Sequence, residues 1–270
     1  MHILVRFLVA SFLANAGLGQ PCFAESTDNI RISKLVIESS SLPSADCERI
    51  IRLFQQKTYF QPEIGDRIRS ALRDLGYFKA VVDEPRFSFP TQVEGRRVTN
   101  VTVKVEPGAQ YRLGEIHVEK ATVFPSARLR NLFSLRRGDL FNATKIGKGL
   151  EDLRKLYATE GYVDCVATPE VVSDDLRHTV DLVIFMDEGR PYDFGKLYLE
   201  GLEGIEPHAG AGKALLNSWK TLEGKRYNPL ELHRWLLANQ ADWKMSSDSM
   251  RVVIDSESLA VNVRLTQWPN

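Results

Sequence analysis

The sequence predicts an α+β chain of three tandem β-α-α-β-β modules, each a three-stranded mixed sheet covered by two helices. Three observations predict it. First, the phrase EPGAQYRLGEIHVE, Glu106 to Glu119, returns as DEGRPYDFGKLYLE, Asp187 to Glu200, at a constant offset of 81 residues. Gly108/Gly189, Tyr111/Tyr192, Gly114/Gly195 and Glu119/Glu200 are identical between the two, and Leu113/Phe194, Ile116/Leu197 and Val118/Leu199 match in character. Second, the hydrophobic period between the phrases passes from two to three-or-four and back to two, the order strand, helix, helix, strand, strand. Third, the turn Gly138-Asp-Leu-Phe-Asn142 recurs as Gly224-Lys-Arg-Tyr-Asn228. An offset of this size exceeds most solenoid periods and approaches a small domain. The repeated phrase therefore marks the joint where one module ends and the next begins.

The second module, residues 109–190, carries the pattern most plainly. Ile116 and Val118 alternate with polar neighbours as in a strand. Pro125 to Phe133, with Leu129, Leu132 and Phe133 at helical spacing, forms a short helix. Asn142 can accept a backbone hydrogen bond and start a second helix, whose apolar stripe is Ile146, Leu150, Leu153, Leu156 and Tyr157. Gly161 ends that helix, because a left-handed cap is cheap only for glycine. Tyr162 to Val172 is an apolar strand with Pro169 inside it. Asp174-Asp175 is a turn, and Thr179 to Met186 alternates Val180, Leu182, Ile184 and Met186 on one face.

The first module, residues 25–108, follows the same order. Ile32, Leu35 and Ile37 lie in a strand. Ser44 caps a helix carrying Ile50, Ile51 and Phe54. A turn runs from Lys57 to Gln61. Ile64, Ile68, Ala71, Leu72 and Leu75 stripe the second helix. Gly76-Tyr-Phe78 matches Gly161-Tyr-Val163. Val81 to Phe89 is a strand with Pro85 inside it, and Thr99 to Val105 is the last strand. The third module, residues 191–270, diverges. It has a strand at Leu197 to Leu199, a helix at Lys213 to Trp219, and a second helix opened by Asn228 and Pro229 and carrying Leu232 and Leu236. Trp235 and Trp243 lie nearby, and the last strands are Met250 to Ile254 and Leu259 to Leu265.

Residues 1–24 read as a secretory signal peptide. Arg6 precedes an apolar run from Phe7 to Gly19, and Ala24 is a small residue at the cleavage point. The run is shorter than the roughly 20 residues of a membrane span. Lipidation at Cys22 is the alternative, and Pro21 fits that signal poorly. The 35 basic residues equal the 35 acidic ones, which gives no global electrostatic case for nucleic acid. The 43% apolar content is that of a globular chain. Cys47 and Cys165 fall in apolar patterns that suit buried free thiols rather than a disulfide, and no spacing suggests zinc.

The glycine-tyrosine phrase after the second helix, the Gly-x-x-aromatic-Asn turn and the Gly-x-x-Tyr-x-Leu/Phe-Gly joint resemble tandem POTRA domains, the polypeptide-transport-associated modules. The resemblance covers roughly residues 30 to 266. It implies β-α-α-β-β units in the periplasm that take part in outer-membrane protein assembly or secretion. Such units bind unfolded clients, or a β-barrel, by strand addition at a sheet edge. The barrel is expected on a separate chain, because no run of barrel-type strands follows the last module before Asn270. A structural adaptor between envelope proteins that binds no client is the alternative, and an exported enzyme the remaining one.

No cofactor, metal, nucleic acid or small-molecule substrate is expected. Gly210-Ala-Gly-Lys213 lacks phosphate-loop spacing, since Pro207 and Ala214 stand where glycine and a hydroxyl residue belong. His2, His117, His178, His208 and His233 are scattered, and Asp174-Asp175 and Asp187-Glu188 read as solvated turn and strand-end acids. Two sets of residues remain as candidates. Tyr111, Gly114, Tyr192 and Gly195 form the joints, where a tyrosine buries its ring between modules and glycine permits close backbone approach. Val81, Val82, Phe87, Val163, Val166 and Val171 lie in the proline-bearing strands. Proline is confined mainly to edges and bulges, so these strands present the binding edges. Their apolar side chains either receive alternate side chains of a partner or pack on the module's own helices.

Overall fold

The computed structural model describes residues 29–55, 57–88, 91–93, 96–200, 209–239 and 250–266. The expected signal peptide with His2 and Cys22 lies outside the described residues, as do Pro207, His208 and Trp243. The chain divides into two compact units. One is Met1–His117 with Phe133–Lys148 and Pro169–Val183. The other is Val118–Leu132 with Gly149–Thr168 and Ile184–Asn270.

The first sheet is built from β1 (Asn29–Glu38), β2 (Thr58–Phe60), β3 (Val81–Val82), β4 (Arg86–Phe87), β5 (Thr91–Val93) and β6 (Arg96–Glu106). β6 is central. It pairs in parallel with β1 on one side and antiparallel with the short pieces β3, β4 and β5 on the other. The helices α1 (Ser44–Phe54) and α2 (Ile64–Asp74) cover it. Ile32, Ile50, Ile64, Ile68, Leu72, Val101 and Val103 are fully buried together. Each such side chain contributes on the order of 1.5–3 kcal/mol of burial.

The next sheet takes the order β7-β9-β8, from β7 (Arg112–Glu119), β8 (Val166–Asp174) and β9 (Thr179–Asp187), with α3 (Ser126–Arg130) and α4 (Ala143–Ala158). The third takes the order β10-β12-β11, from β10 (Asp193–Glu200), β11 (Met250–Asp255) and β12 (Ala260–Thr266), with α5 (Ala209–Trp219) and α6 (Pro229–Asn239). Here too the last strand is central, parallel to β10 and antiparallel to β11. Three mixed sheets with helices are thus the expected α+β architecture. In each, the strand after the second helix lies on an edge.

The alternating positions of β9 behave as its period requires: Val180, Leu182, Ile184 and Met186 are all buried. Asn142 accepts a bond from the Lys145 amide at 2.8 Å, and Asn228 from the Leu230 amide at 2.9 Å, so both asparagines act as caps.

Several local expectations are corrected. Ser44 is the first helical residue rather than the cap; Pro43 holds the cap position and no side chain bonds there. The turn from Lys57 to Gln61 contains β2, which pairs with β1. The strand expected over Val81 to Phe89 is broken around Pro85 into β3 and β4, because proline can neither donate nor keep the pleat of its neighbours. The strand expected from Tyr162 begins only at Val166, because Gly161 and the turn after it delay the extended run. Val163 therefore lies outside β8. Cys165 is buried, Cys47 is only half-buried, and both are free.

Gly195 shows why the joint phrase repeats a glycine inside a strand. The β10–β12 register shifts between Phe194 and Leu197, a bulge. Into the space beside Gly195 the Asn262 side chain reaches from the central strand and accepts the Lys196 amide at 2.7 Å. A Cβ on Gly195 would overlap the Asn262 carboxamide oxygen. Gly114 repeats this with Asp181, which accepts the Glu115 amide at 2.6 Å. The first sheet has the same irregularity in β1, between Ile32 and Lys34.

Candidate binding edge and inter-module joints

The proline-broken edge of the first sheet borders a cleft of about 580 Å³. Gln61, Pro62, Gly65, Asp66 and Arg69 of the α2 region form one wall; Val82, Asp83, Glu84, Pro85 and Phe87 of the edge strand form the other. Antiparallel pairing alternates bonded and non-bonded residue pairs. The Asp83 amide donates to Lys104 and the Ser88 amide to Asn100, both at 3.0 Å. The neighbouring Val82 and Phe87 are paired with Val105 and Val101, so their amides point away from β6, to the open side. The Val82 side chain is buried and that of Phe87 half-buried against the core, while Val81 is exposed. For Val82 and Phe87 the side chains therefore pack on the module's own core, and the backbone donors are what the edge offers. Arg69 pairs with Asp66 across α2, and Asp83 and Glu84 leave the cleft net acidic.

The other expected edge residues are not brought together with these. Val166 is exposed at the start of β8, and Val171 is half-buried within it. Val163 packs against the core of the third sheet and helices, so it belongs to a joint rather than to an edge. That follows from its place in the turn after Gly161, which points it forward to the next module.

The two joints share one backbone scheme. The Tyr111 amide donates to Gly76 at 2.8 Å, and the Tyr111 carbonyl accepts from Phe141 at 3.0 Å. The Tyr192 amide donates to Gly161 at 2.9 Å, and its carbonyl accepts from Tyr227 at 2.9 Å. Each tyrosine thus ties the end of one module's second helix to the Gly-x-x-aromatic turn of the next. Both rings are buried. Phe78 packs edge-on against Tyr111 and Phe141, with ring centroids 6.0 and 5.2 Å apart.

The hydroxyl chemistry differs between joints. Tyr111 donates to Asp175 at 2.9 Å, and Asp175 also accepts from Lys79 at 2.5 Å. The Lys79 hydrogen bond, then that of Tyr111, holds the Asp175 carboxyl below its usual range. At the second joint Tyr192 donates to Asp164, which occupies the place of Lys79, and that bond pushes the Tyr192 hydroxyl up.

Sequence reasoning missed several participants. Asp74, at the end of α2, accepts the Thr144 amide at 2.8 Å and its hydroxyl at 2.7 Å, so the first module caps α4 of the second. Asn142 also donates to the Asp74 carbonyl at 2.9 Å. Asp175 and Glu188, read as solvated acids, are both bonded. Glu188 accepts from the Thr122 and Val123 amides at 2.8 and 3.0 Å and from the Tyr157 hydroxyl at 2.7 Å. Burial raises the Glu188 carboxyl, and these bonds, with one from the Thr122 hydroxyl, outweigh it and hold it low. The turn-flanking position of both acids carried no signal of this; only the three-dimensional neighbours do. Asp174 does cap its turn, accepting the Leu176 and Arg177 amides. Among the described residues no His, Cys, Asp and Glu cluster is arranged to hold a metal.

The family described as "POTRA: Surface antigen variable number repeat" matches residues 111–189, the segment that runs from one joint tyrosine to just before the next. Among solved structures, POTRA domains 3 to 5 of Haemophilus influenzae BamA share the fold with a TM-score of 0.62 at 18% identity, covering 92% of this chain and 100% of that one. BamA from Haemophilus ducreyi lacking POTRA domains 1 to 3 aligns over 61% of this chain and 30% of that one, at 17% identity and a TM-score of 0.42. POTRA domains 1 to 3 of Omp85 from Anabaena align over 88% of this chain and 95% of that one, at 16% identity and a TM-score of 0.33. The first of these carries the fold comparison. Residues 111–189 thus match the POTRA family, and the successive sheets and helices of the chain share the fold of three consecutive POTRA domains.

Proposed function

We propose that this chain is a periplasmic protein-binding arm that serves outer-membrane protein assembly or secretion. It holds an extended segment of an unfolded client, or of a β-barrel partner, along the edge strand of its first module. The observation that carries this reading is the cleft between α2 and the broken edge β3–β4. There the Val82 and Phe87 amides point outward beside a trough of about 580 Å³. An incoming strand takes its main-chain bonds from such an edge, and the trough receives its alternate side chains. Recognition of backbone rather than of one side-chain sequence suits varied clients. The tandem POTRA architecture, shared with BamA domains of the bacterial outer-membrane machinery, supports the same reading. The module boundaries we propose, 25–108, 109–190 and 191–270, follow the joint tyrosines, whose backbone bonds tie one module to the next.

The experiment is a Val82→Pro variant. Its amide faces outward, so proline removes a donor from the open side without removing a bond to β6. A photoreactive residue at Glu84, in the cleft, reports contact in cells. The expected result is cross-linking to outer-membrane barrel proteins or their precursors, and its loss in Val82→Pro with circular dichroism unchanged. Undiminished cross-linking in a folded Val82→Pro variant refutes strand addition at this edge. Absence of any barrel product from the parent refutes the functional assignment.

A further inference from the structure

The edges of the three sheets are not protected alike. Pro85 interrupts the first and Pro169 lies in the second, whereas β11 is an uninterrupted strand of 6 residues, Met-Arg-Val-Val-Ile-Asp, with no proline. Natural edge strands are usually blunted by proline, lysine or brevity. Here three successive branched apolar residues are open to solvent: Val252 at 43%, Val253 at 36% and Ile254 at 46%.

The register explains why. Val252 stands opposite Val263 and Ile254 opposite Val261, so both lie on the face that β12 buries. They are at the rim, beyond the cover that leaves Val261 and Val263 fully buried. On the other face Arg251 stands opposite Arg264, a like-charge pair. Arg264 is neutralised by Glu200 at 2.7 Å. Arg251 has no carboxylate partner among the described residues.

We propose that β11 pairs with β11 of a second copy of this chain, antiparallel about a two-fold axis through Val253. The strand is self-complementary in that register alone. Arg251 of each copy meets Asp255 of the other, Val252 meets Ile254, and Val253 meets itself. Arg251 gains an acid, and the half-exposed valines and isoleucine gain cross-strand apolar neighbours. Asp255 already accepts the Glu257 and Ser258 amides at 3.1 and 3.2 Å and the Ser258 hydroxyl at 2.7 Å. These bonds fix it in place, and an ionised carboxylate retains acceptor capacity for Arg251. A register shifted by one residue places Arg251 opposite Ile254 or Ser256 and forfeits the charge pairs. The contact is isologous, hence closed, and joins the two sheets into one. A single strand pair is small for a protein interface, so the dimer is weak and concentration-dependent. This inference does not depend on client binding at the first module, and its readout is oligomeric state.

The test is sedimentation of the purified chain across a concentration series, with hydrogen exchange of the β11 amides at both ends of it. The expected parent result is a reversible monomer–dimer equilibrium, with outward β11 amides slowing as dimer forms. Arg251→Glu sets like charges opposite at both symmetry-related positions and weakens dimerisation by about tenfold or more. Val253→Lys, at an exposed position on the axis, does the same without touching either charge. Mixing Arg251→Glu with Asp255→Lys restores a heterodimer, because each unlike pair is then complementary. A strictly monomeric parent overturns the proposal. So does a dimer indifferent to Arg251→Glu and Val253→Lys, or one whose β11 amides exchange no more slowly than in the monomer. Protection of β11 that arises only on adding an extended peptide overturns self-pairing in favour of a client strand.

Discussion

Gly161 has φ of +84° and Gly76 and Gly138 have +87° and +89°, so the three share one left-handed backbone conformation but differ in what surrounds them. A Cβ on Gly138 meets nothing within 4 Å. One on Gly76 comes within 3.2 Å of the Tyr111 carbonyl oxygen and of Leu140 Cδ2, which a few tenths of an ångström of movement relieves. One on Gly161 lies 2.6 Å from the Tyr192 carbonyl oxygen and 2.5 Å from Arg226 Cδ. The arginine stem can swing away. The carbonyl cannot, because it accepts the Tyr227 amide while the Tyr192 amide donates back to Gly161. Left-handed strain on alanine costs about 1–2 kcal/mol, partly offset by about 0.4–1 kcal/mol from the stiffer unfolded chain. Gly138→Ala should therefore cost about 1 kcal/mol or less. Gly161→Ala adds overpacking of about 1–3 kcal/mol, for a total of about 1–4 kcal/mol, with Gly76→Ala between them. Urea titration followed by circular dichroism measures the series. Tryptophan emission reads the third module alone, since all 4 tryptophans of the chain lie at or after Trp219. A Gly161→Ala variant no less stable than Gly138→Ala refutes the claim that the second joint is crowded at this glycine.

Two further outcomes follow from the same contacts. Asp74→Ala removes the acceptor that caps α4 and should cost about 1 kcal/mol in urea titration, while Asp74→Asn keeps an acceptor and should recover about half; an unchanged midpoint for Asp74→Ala removes the cap. The Glu188 carboxyl is held below its ordinary value of 4.5 in the folded chain. Its contribution is therefore complete above that value and is lost as pH falls through the lower folded one. Glu188→Gln should lower stability at neutral pH by about 1–2 kcal/mol and flatten the acid limb of the stability profile. A limb of unchanged steepness shows that the charge on Glu188 does not matter.

The repeat at an offset of 81 residues, the two helical stripes and the apolar alternation of β9 were legible because each is a local pattern with one period. Asn142 and Asn228 were legible as caps for the same reason: a cap bonds within its own turn. Gly114 and Gly195 were identified as places of close approach. What approaches them is Asp181 and Asn262, from strands more than sixty residues onward. The joints were legible as positions, Tyr111 and Tyr192, but not as networks, because Asp74, Lys79 and Asp175 acquire their roles only where two modules meet.

The edge of the first module shows the division most directly. Pro85 by itself pointed to an edge or a bulge for its strand, since it has no amide to give to a second neighbour. Which way the Val82 and Phe87 amides point depends on the register against β6, which no single strand contains. Val163 illustrates the converse: its apolar character left two roles open, receiving a partner's side chain at an edge or packing on its own module's helices, and the tertiary structure packs it on the third module's core instead. Periodicity and backbone chemistry fix what a segment can be, because they act over a few residues. Partners are chosen across tens of residues by the packing of whole modules, and that choice only the tertiary structure records.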